Sequence, residues 1–320
     1  VISTVLNERA NLPDWLASLV SQERLPDELV IVDAGSIDGT VELLRTWALD
    51  APFPVMVLTI RGCTRSEGRN RAISNAAHDL IAVTDAGCRL DPAWLSKLGE
   101  CLKDPEVDVA AGWFRPWIET PFDRRAALLA IPALDEIAPE TFLPSSRSLA
   151  FRRSAWSRVG GYPEPLNYAE DTRFDLDLRA AGACFRFVPE AIVYWRPAAS
   201  LKGLLRMARN YGLGDGLARI PFAHRRAWLR YVAAPALLVT ALFLRAHALV
   251  IVLLILGGVL LFRRNRIFQR RAHAVSREGG RVSLLDRGYC LFVDILVDLA
   301  RTWGFLQGTR QHRSERRRPS

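Results

Sequence analysis

A chain of 320 residues, half of them hydrophobic, is long enough for one large domain or two ordinary ones. Its formal charge of +9 is divided unevenly: residues 1–222 hold 25 Lys and Arg against 29 Asp and Glu, a net of −4, and residues 223–320 hold 18 against 5, a net of +13. The basic side chains therefore lie beside apolar segments and not on the globular front, which argues against a nucleic-acid-binding domain and for contact with a membrane.

The front alternates two periodicities. Val1–Leu6 reads as a strand, and Asn11–Ser21 as a helix with Leu12, Trp15, Leu16 and Leu19 on one face. Glu28–Asp33 is a buried strand, Asp38–Leu49 a helix and Pro54–Thr59 a third strand. Ser66–Ala77 is helical, Leu80–Asp85 a strand, and Asp91–Leu102 a helix with Asp91 as its cap and Pro92 in its first turn. This order predicts an α/β fold with a parallel sheet between layers of helices, whose ligands bind beyond the carboxyl ends of the strands. Residues 113–147 are less regular and rich in Pro and aromatics, as expected of an acceptor-side or lid region. Ser148–Arg158, Asp171–Ala181 and Leu201–Leu217 are helix-like.

The rear differs in kind. An apolar block over residues 223–262 is interrupted at Arg245-Ala246-His247. Each half is short for a span of about twenty residues, and arginines flank both ends. Residues 223–271 are therefore expected to form a transmembrane hairpin or a re-entrant pair. Residues 272–308 carry Asp286, Arg287, Asp294, Asp298 and Arg301 among apolar positions, as in an amphipathic helix lying on a membrane or on the catalytic domain. Residues 309–320 are expected to be a basic disordered tail. The front divides at residue 112 into a nucleotide-binding half and an acceptor half, 113–222. Five scattered cysteines without a CxxC pair make a disulfide framework or a structural zinc unexpected and fit a reducing compartment. The opening run VISTVL is expected to be a strand and not a signal peptide.

Four strings carry chemistry. VLNERANL, with Asn7 and Glu8, is followed by VDAGSIDGT, with Asp33, Gly35 and Ser36. Carboxylates at a strand end can bind a base or ribose, and backbone N–H groups can meet a phosphate; the plainer alternative is a tight turn with a helix cap. In RSEGRNRAI, Arg69 and Arg71 suit a diphosphate, or else form a solvated basic face. VTDAGC places Asp85 after a buried strand, where it can anchor a metal or ribose or serve as an ordinary turn residue. In NYAEDTRFD, Glu170 and Asp171 can shift each other's proton affinity and leave one as a base, or simply complement a helix dipole.

Together, in this order and spacing, these strings over roughly residues 1–216 resemble glycosyltransferase family 2, whose fold is GT-A: a Rossmann-like, mostly parallel sheet with flanking helices. The resemblance implies that Asp33 binds the nucleotide base with Asn7, Glu8, Gly35 and Ser36 around it. Asp85 would open the Asp-x-Asp metal and diphosphate motif, and Asp171 would be the catalytic base beside Glu170. RMARNYGLGDG resembles the later basic-aromatic string, so Arg206, Arg209 and Tyr211 would meet acceptor and diphosphate; it lacks the form found in processive synthases. Two departures concern the metal. Gly87 stands for the second Asp, and Trp195 for the histidine that can complete the site. Mg²⁺ or Mn²⁺ is therefore expected to enter with the donor and not to sit tightly on free protein, or else arginines take its place.

The reading is an inverting transferase that moves a sugar from a nucleotide-diphosphate sugar to a lipid-linked or polysaccharide acceptor. It would work at the cytoplasmic face of the cell inner membrane. Its partners would be the donor, the acceptor and membrane lipid, with no nucleic acid. The alternative is a catalytically silent GT-A scaffold in a polysaccharide assembly complex.

Overall fold

The computed structural model describes residues 1–220, 233–279 and 281–315. The chain divides into two compact units, residues 1–117 with 134–196, and residues 118–133 with 197–320.

The first unit follows the expected alternation. In order come β1 (Ile2–Val5), α1 (Leu12–Val20), β2 (Leu29–Asp33), α2 (Thr40–Ala48), β3 (Val55–Thr59), α3 (Arg65–Asn75), β4 (Leu80–Val83), β5 (Cys88–Leu90), α4 (Trp94–Cys101) and β6 (Val109–Pro116). After residue 134 follow β7 (Leu149–Arg152), α6 (Arg153–Arg158), α7 (Glu170–Ala180) and β8 (Phe185–Trp195). The eight strands pair in the order β3-β2-β1-β4-β7-β6-β8-β5. β1 to β4 are mutually parallel, whereas β7 runs antiparallel between β4 and β6, and β5 antiparallel on β8. The sheet is thus mixed beyond β4.

Helices cover both faces, so β2 is buried at every position and apolar from Leu29 through Val32. In β2, Leu29 and Ile31 pack under α1 and α4 with Trp15, Leu19, Trp94 and Leu98. Val30 and Val32 face the other way, onto Ala72 and Ile73 of α3 and Phe174 and Leu178 of α7.

Three local expectations are corrected. Ser148–Arg158 is not one helix: Leu149, Ala150 and Phe151 are fully or nearly buried and pair with β4 and β6 before α6 begins. Residues 113–147 contain the end of β6 and a helix, α5 (Pro121–Ala130), started by a capping box between Thr120 and Asp123. Asp91 organises a turn, accepting from the Ala93 N–H at 3.1 Å, and α4 begins only at Trp94.

The second unit is helical: α5, α8 (Leu201–Leu217), α9 (Ala234–Phe243), α10 (His247–Gly279) and α11 (Leu284–Glu315). α8 and α11 lie close because each carries glycines four apart. A Cβ at Gly212 would stand 1.9 Å from the Arg301 carbonyl oxygen, and one at Gly304 1.9 Å from that of Arg209. Gly216 and Gly308 repeat the arrangement one turn on. This packing places α8 in the second unit, and the first unit ends at Arg196.

The charges of α11 pair with side chains of the other helices in its unit. Asp286 accepts from Arg125 at 2.7 Å, Arg301 donates to Asp215 at 2.8 Å, and Arg264 pairs with Asp294. Asp215, Asp286 and Asp294 are all buried. α11 also runs on to Glu315, so the tail expected from 309 is helical through 315. The apolar block breaks where the sequence interrupts it, with Arg245 left-handed at φ 52° between α9 and α10. Ten residues of α9 reach only about 15 Å, half a hydrocarbon core. α10, at 33 residues, is the one described helix long and apolar enough to cross a membrane, and its apolar stretch is unburied. The part of the expected hairpin at 223–232 lies outside the described residues.

Candidate active site

Strand polarity gathers the site. β1, β2, β4, β6 and β8 all end at one edge, and the antiparallel β5 and β7 begin there. That edge receives Asn7 and Glu8 after β1, Asp33 at the end of β2, Asp85 after β4, Trp195 at the end of β8 and residues 145–148 before β7.

The loops after β1 and β2 are joined by their own polar groups. The Asn7 N–H donates to Ser36 Oγ at 2.8 Å, Ile37 N–H to Asn7 Oδ1 at 3.0 Å and Glu8 N–H to Thr40 Oγ1 at 2.9 Å. Asn7 is left-handed at φ 56° to make this turn. Asp33 is fully buried, and its carboxylate accepts from the N–H groups of Gly35 at 2.9 Å and Ser36 at 3.0 Å. In this structure Asp33 therefore organises the loop; the exposed side chains there are Leu6, Asn7, Arg9 and Ile37.

Arg69 and Arg71 do not act together. Two residues apart on α3, they point some 200° from one another, Arg69 into the protein and Arg71 into solvent. Arg69 donates to Glu170 Oε1 at 2.6 Å and to Asp85 Oδ1 at 3.1 Å. Its side chain is 3% exposed and that of Glu170 is 5% exposed. The segment that delivers Glu170 is pinned to α3. Asn70 accepts from the Tyr162 N–H at 2.8 Å and from Trp156 Nε1 at 3.0 Å, and donates to the Tyr162 carbonyl at 2.9 Å. Ser66 donates to the Leu166 carbonyl, and the Arg65 N–H to Asn167 Oδ1. Ala169, left-handed at φ 58°, then turns the chain into α7.

The adjacent carboxylates thus differ in environment. Asp171 is half-buried, and its Oδ2 accepts from Ser145 Oγ at 3.3 Å. Ser145 Oγ in turn accepts from Arg147 Nη1 at 2.6 Å. The Arg147 guanidinium lies 4.0 Å over the Trp195 ring, with Nε 3.8 Å from Asp85 Oδ2. A chain of polar contacts runs from Glu170 through Arg69, Asp85, Arg147 and Ser145 to Asp171. Burial pushes the Glu170 carboxyl up, with Arg69 opposing and Asp171 adding to the rise. Burial also works against the Asp85 carboxylate, but Arg69, Arg147 and Arg65 outweigh it and hold that carboxyl below its ordinary range. Glu8 is raised, chiefly by burial, with the Asn11 amide pulling the other way.

The string PSSRS was passed over in the sequence, yet each polar residue of it has a task. Ser145 meets Asp171, Ser146 meets the Tyr162 hydroxyl at 3.0 Å, and Ser148 links Trp94 Nε1 to the Ala191 carbonyl. Its only signal was polar density immediately before a buried strand. Arg206, Arg209 and Tyr211 belong to the second unit, on α8, where Arg209 donates to Gln307 at 2.9 Å.

A divalent cation held by the protein alone does not fit these residues. Among the described residues no three His, Cys, Asp or Glu side chains converge on a point. Asp85 faces two guanidinium groups, and Gly87 and Trp195 supply no further ligand, whereas a hard cation takes several oxygens.

The sequence profile of glycosyl transferase family 2 matches residues 1–159. Glycosyltransferase AglE of Haloferax volcanii is 24% identical over 249 residues, 76% of this chain and 80% of that protein. The O-antigen chain rhamnosyltransferase RfbN of Salmonella typhimurium is 23% identical over 193 residues, 57% of this chain and 60% of that one. Among solved structures, the mannosyltransferase PcManGT from Pyrobaculum calidifontis, in complex with GDP-Man and Mn²⁺, superposes with a TM-score of 0.61 at 20% identity, over 95% of this chain and 86% of that one. S. aureus TarS 1–349 with UDP-GlcNAc gives 0.51 at 15%, over 96% and 91%. Residues 1–159 are thus a glycosyltransferase family 2 domain, and the mixed sheet with flanking helices resembles the GT-A fold of these structures.

Proposed function

We propose that this protein transfers a sugar from a nucleoside-diphosphate sugar to an acceptor hydroxyl in one inverting displacement, with Asp171 as general base. The observation that carries this is the unequal fate of the two carboxylates: Glu170 is spent on Arg69 inside the protein, whereas Asp171 stands at the edge of the site against Ser145. The acceptor oxygen attacks the anomeric carbon and its proton passes to Asp171. The bond from that carbon to the diphosphate oxygen breaks, its electron pair leaving with the nucleoside diphosphate. The loops of Asn7, Glu8, Asp33, Gly35 and Ser36 hold the nucleoside, and Glu170 keeps Arg69 against Asp85. PcManGT carries Mn²⁺ with its donor; here a cation would arrive with the diphosphate, since the residues present do not hold one by themselves.

The acceptor is a lipid-linked sugar or a growing surface polysaccharide, and the enzyme works at the inner face of the cell membrane. The apolar first half of α10, followed within the same helix by Arg263, Arg264, Arg266, Arg270 and Arg271, supports this, as does the O-antigen role in the name of RfbN.

Asp171→Asn in detergent-solubilised protein tests the mechanism. Transfer should fall by about 10²–10⁴-fold, while calorimetric nucleoside diphosphate binding persists. Near-wild-type turnover would show that Asp171 is not the base, and a wild type inactive with every donor would favour the silent scaffold.

A further inference from the structure

We propose that the outer face of α11 lies along the lipid bilayer, as a second membrane contact besides α10. This contact shares the membrane of the proposed function and is independent of its chemistry. Leu285, Phe292, Ile295, Leu299, Trp303 and Leu306 recur at intervals of three, four or seven residues, which sets them on one side of the helix. All are exposed, Leu285 at 82%, Phe292 at 64% and Trp303 at 53%. At 1.5 Å per residue the stripe from Leu285 to Leu306 is about 32 Å long.

The opposite side of α11 is taken up within its own unit. Asp286 and Asp294 are buried against Arg125 and Arg264, and Arg301 donates to Asp215. Gly304 and Gly308 are pressed onto the backbone of α8. The helix is therefore turned the reverse way from one on a soluble core: its ion pairs face protein and its apolar side chains face out. The same charges lower its mean hydropathy, so by composition α10 alone among the described helices reads as a span. An exposed apolar stripe of this extent marks a surface that something covers.

Charge selects the occupant. Arg310 and Arg313 are exposed and continue the stripe at its far end, and Arg281 stands exposed before its start. Between Arg281 and Arg313 no Asp or Glu is exposed. Two copies meeting through α11, in either direction, would set cations against cations, in a segment of net charge +13 over residues 223–320. An anionic bilayer suits both parts, with acyl chains against the stripe and headgroups against the arginines. Continuity points the same way. Arg264, which holds Asp294, comes two residues after Phe262, the end of the apolar run of α10, so α11 is fastened to α10 where that run stops. Nor does α11 cross the bilayer. α8, clamped to it through Gly212 and Gly216, exposes Lys202, Arg206 and Arg209, which hydrocarbon does not take. Only the outer face of α11 is immersed, and α8 rides above it on the water side.

The test is photolabelling of the full chain in vesicles of phosphatidylglycerol and phosphatidylethanolamine that carry a diazirine in the acyl chain. Adducts are mapped by peptide mass spectrometry for the wild type and for the double variant Phe292→Glu, Leu299→Glu. In the wild type they are expected on the apolar half of α10 and on α11 between Leu285 and Leu306. In the variant those on α11 should fall by about tenfold while those on α10 persist. Both changes are at exposed positions, so an unchanged thermal melt separates lost immersion from lost fold. Wild-type adducts on α10 alone overturn the proposal and leave the membrane reading through α10 standing. A wild type of twice the chain mass in detergent, reduced to one chain in the variant, would make the stripe a contact between copies and also overturns it. No adduct on either helix removes both.

Discussion

Arg69 and Glu170 form a buried ion pair at 2.6 Å that ties α3 to the first turn of α7, across a hundred residues of sequence. Because Arg69 also reaches Asp85, that carboxylate and the helix that carries Asp171 share one guanidinium. The pair sets the geometry of the site before any substrate arrives.

Removing one partner should therefore cost more than an exposed ion pair would. Glu170→Ala leaves the Arg69 charge buried without its nearest carboxylate, and should destabilise the first unit by about 3–5 kcal/mol. Glu170→Gln, whose amide oxygen still accepts from Arg69, should cost less. Chemical denaturation of both variants checks the order; equal small losses would mean that the pair contributes little.

Asp175 gives a pH prediction. It is fully buried, neither of its carboxylate oxygens has a hydrogen-bond partner among the described residues, and burial raises its carboxyl well above 3.8, with Asp171 adding to the rise. A raised folded value means that the stability it contributes is whole below about 3.8 and is lost as pH rises, because the unfolded chain releases the proton first. Asp175→Asn should thus melt higher than the wild type at pH 7, by a margin that shrinks toward pH 4. Parallel melts across that range decide it, and a margin that grows on acidification would contradict the assignment.

The contact of α8 with α11 predicts a sharp difference between glycines of one helix. Gly304→Leu drives side-chain atoms into the Arg209 carbonyl and should destabilise the helical unit by about 1–3 kcal/mol or more. Gly288, also in α11, has nothing within 4 Å of its would-be Cβ, so Gly288→Ala should be neutral or slightly stabilising. Melting curves of the two variants side by side measure the effect.

Mn²⁺ titrated into nucleotide-free protein should remain free by electron paramagnetic resonance, since Asp85 faces Arg69 and Arg147 and has no second ligand beside it. Added nucleoside diphosphate should raise bound Mn²⁺ only through its own phosphates. Stoichiometric tight binding without nucleotide would point to ligands other than those described.

What the sequence made legible was local. The strand runs ELVIVD and LIAVTD place Asp33 and Asp85 correctly at one edge, and Leu201–Leu217 is helical over the expected residues. Glu170 beside Asp171 at a helix start was readable because both properties belong to neighbours. The rest depends on distant pairing. Whether LAF of residues 149–151 is helix or strand is decided by β4 and β6, and only with β7 antiparallel does Arg147 reach the site. Arg69 reads as a phosphate ligand until the segment 160–168 closes over it. The partners of the α11 charges, Arg125, Asp215 and Arg264, lie on other helices, where no local pattern names them.

The same strand polarity defines a second edge with none of this chemistry. The turns entering β3, β4, β6 and β8, near residues 53, 79, 108 and 184, all lie there. Cys184 is exposed in the last of them, while Cys88 and Cys290 are buried and Cys63 and Cys101 partly so. It is a natural handle for a thiol-reactive fluorophore, a spin label or a surface tether. Orientation on a sensor chip through Cys184 would leave the rim of Asp33, Asp85 and Trp195 toward solution, and distance measurements from it could follow that opposite rim when a candidate donor is added.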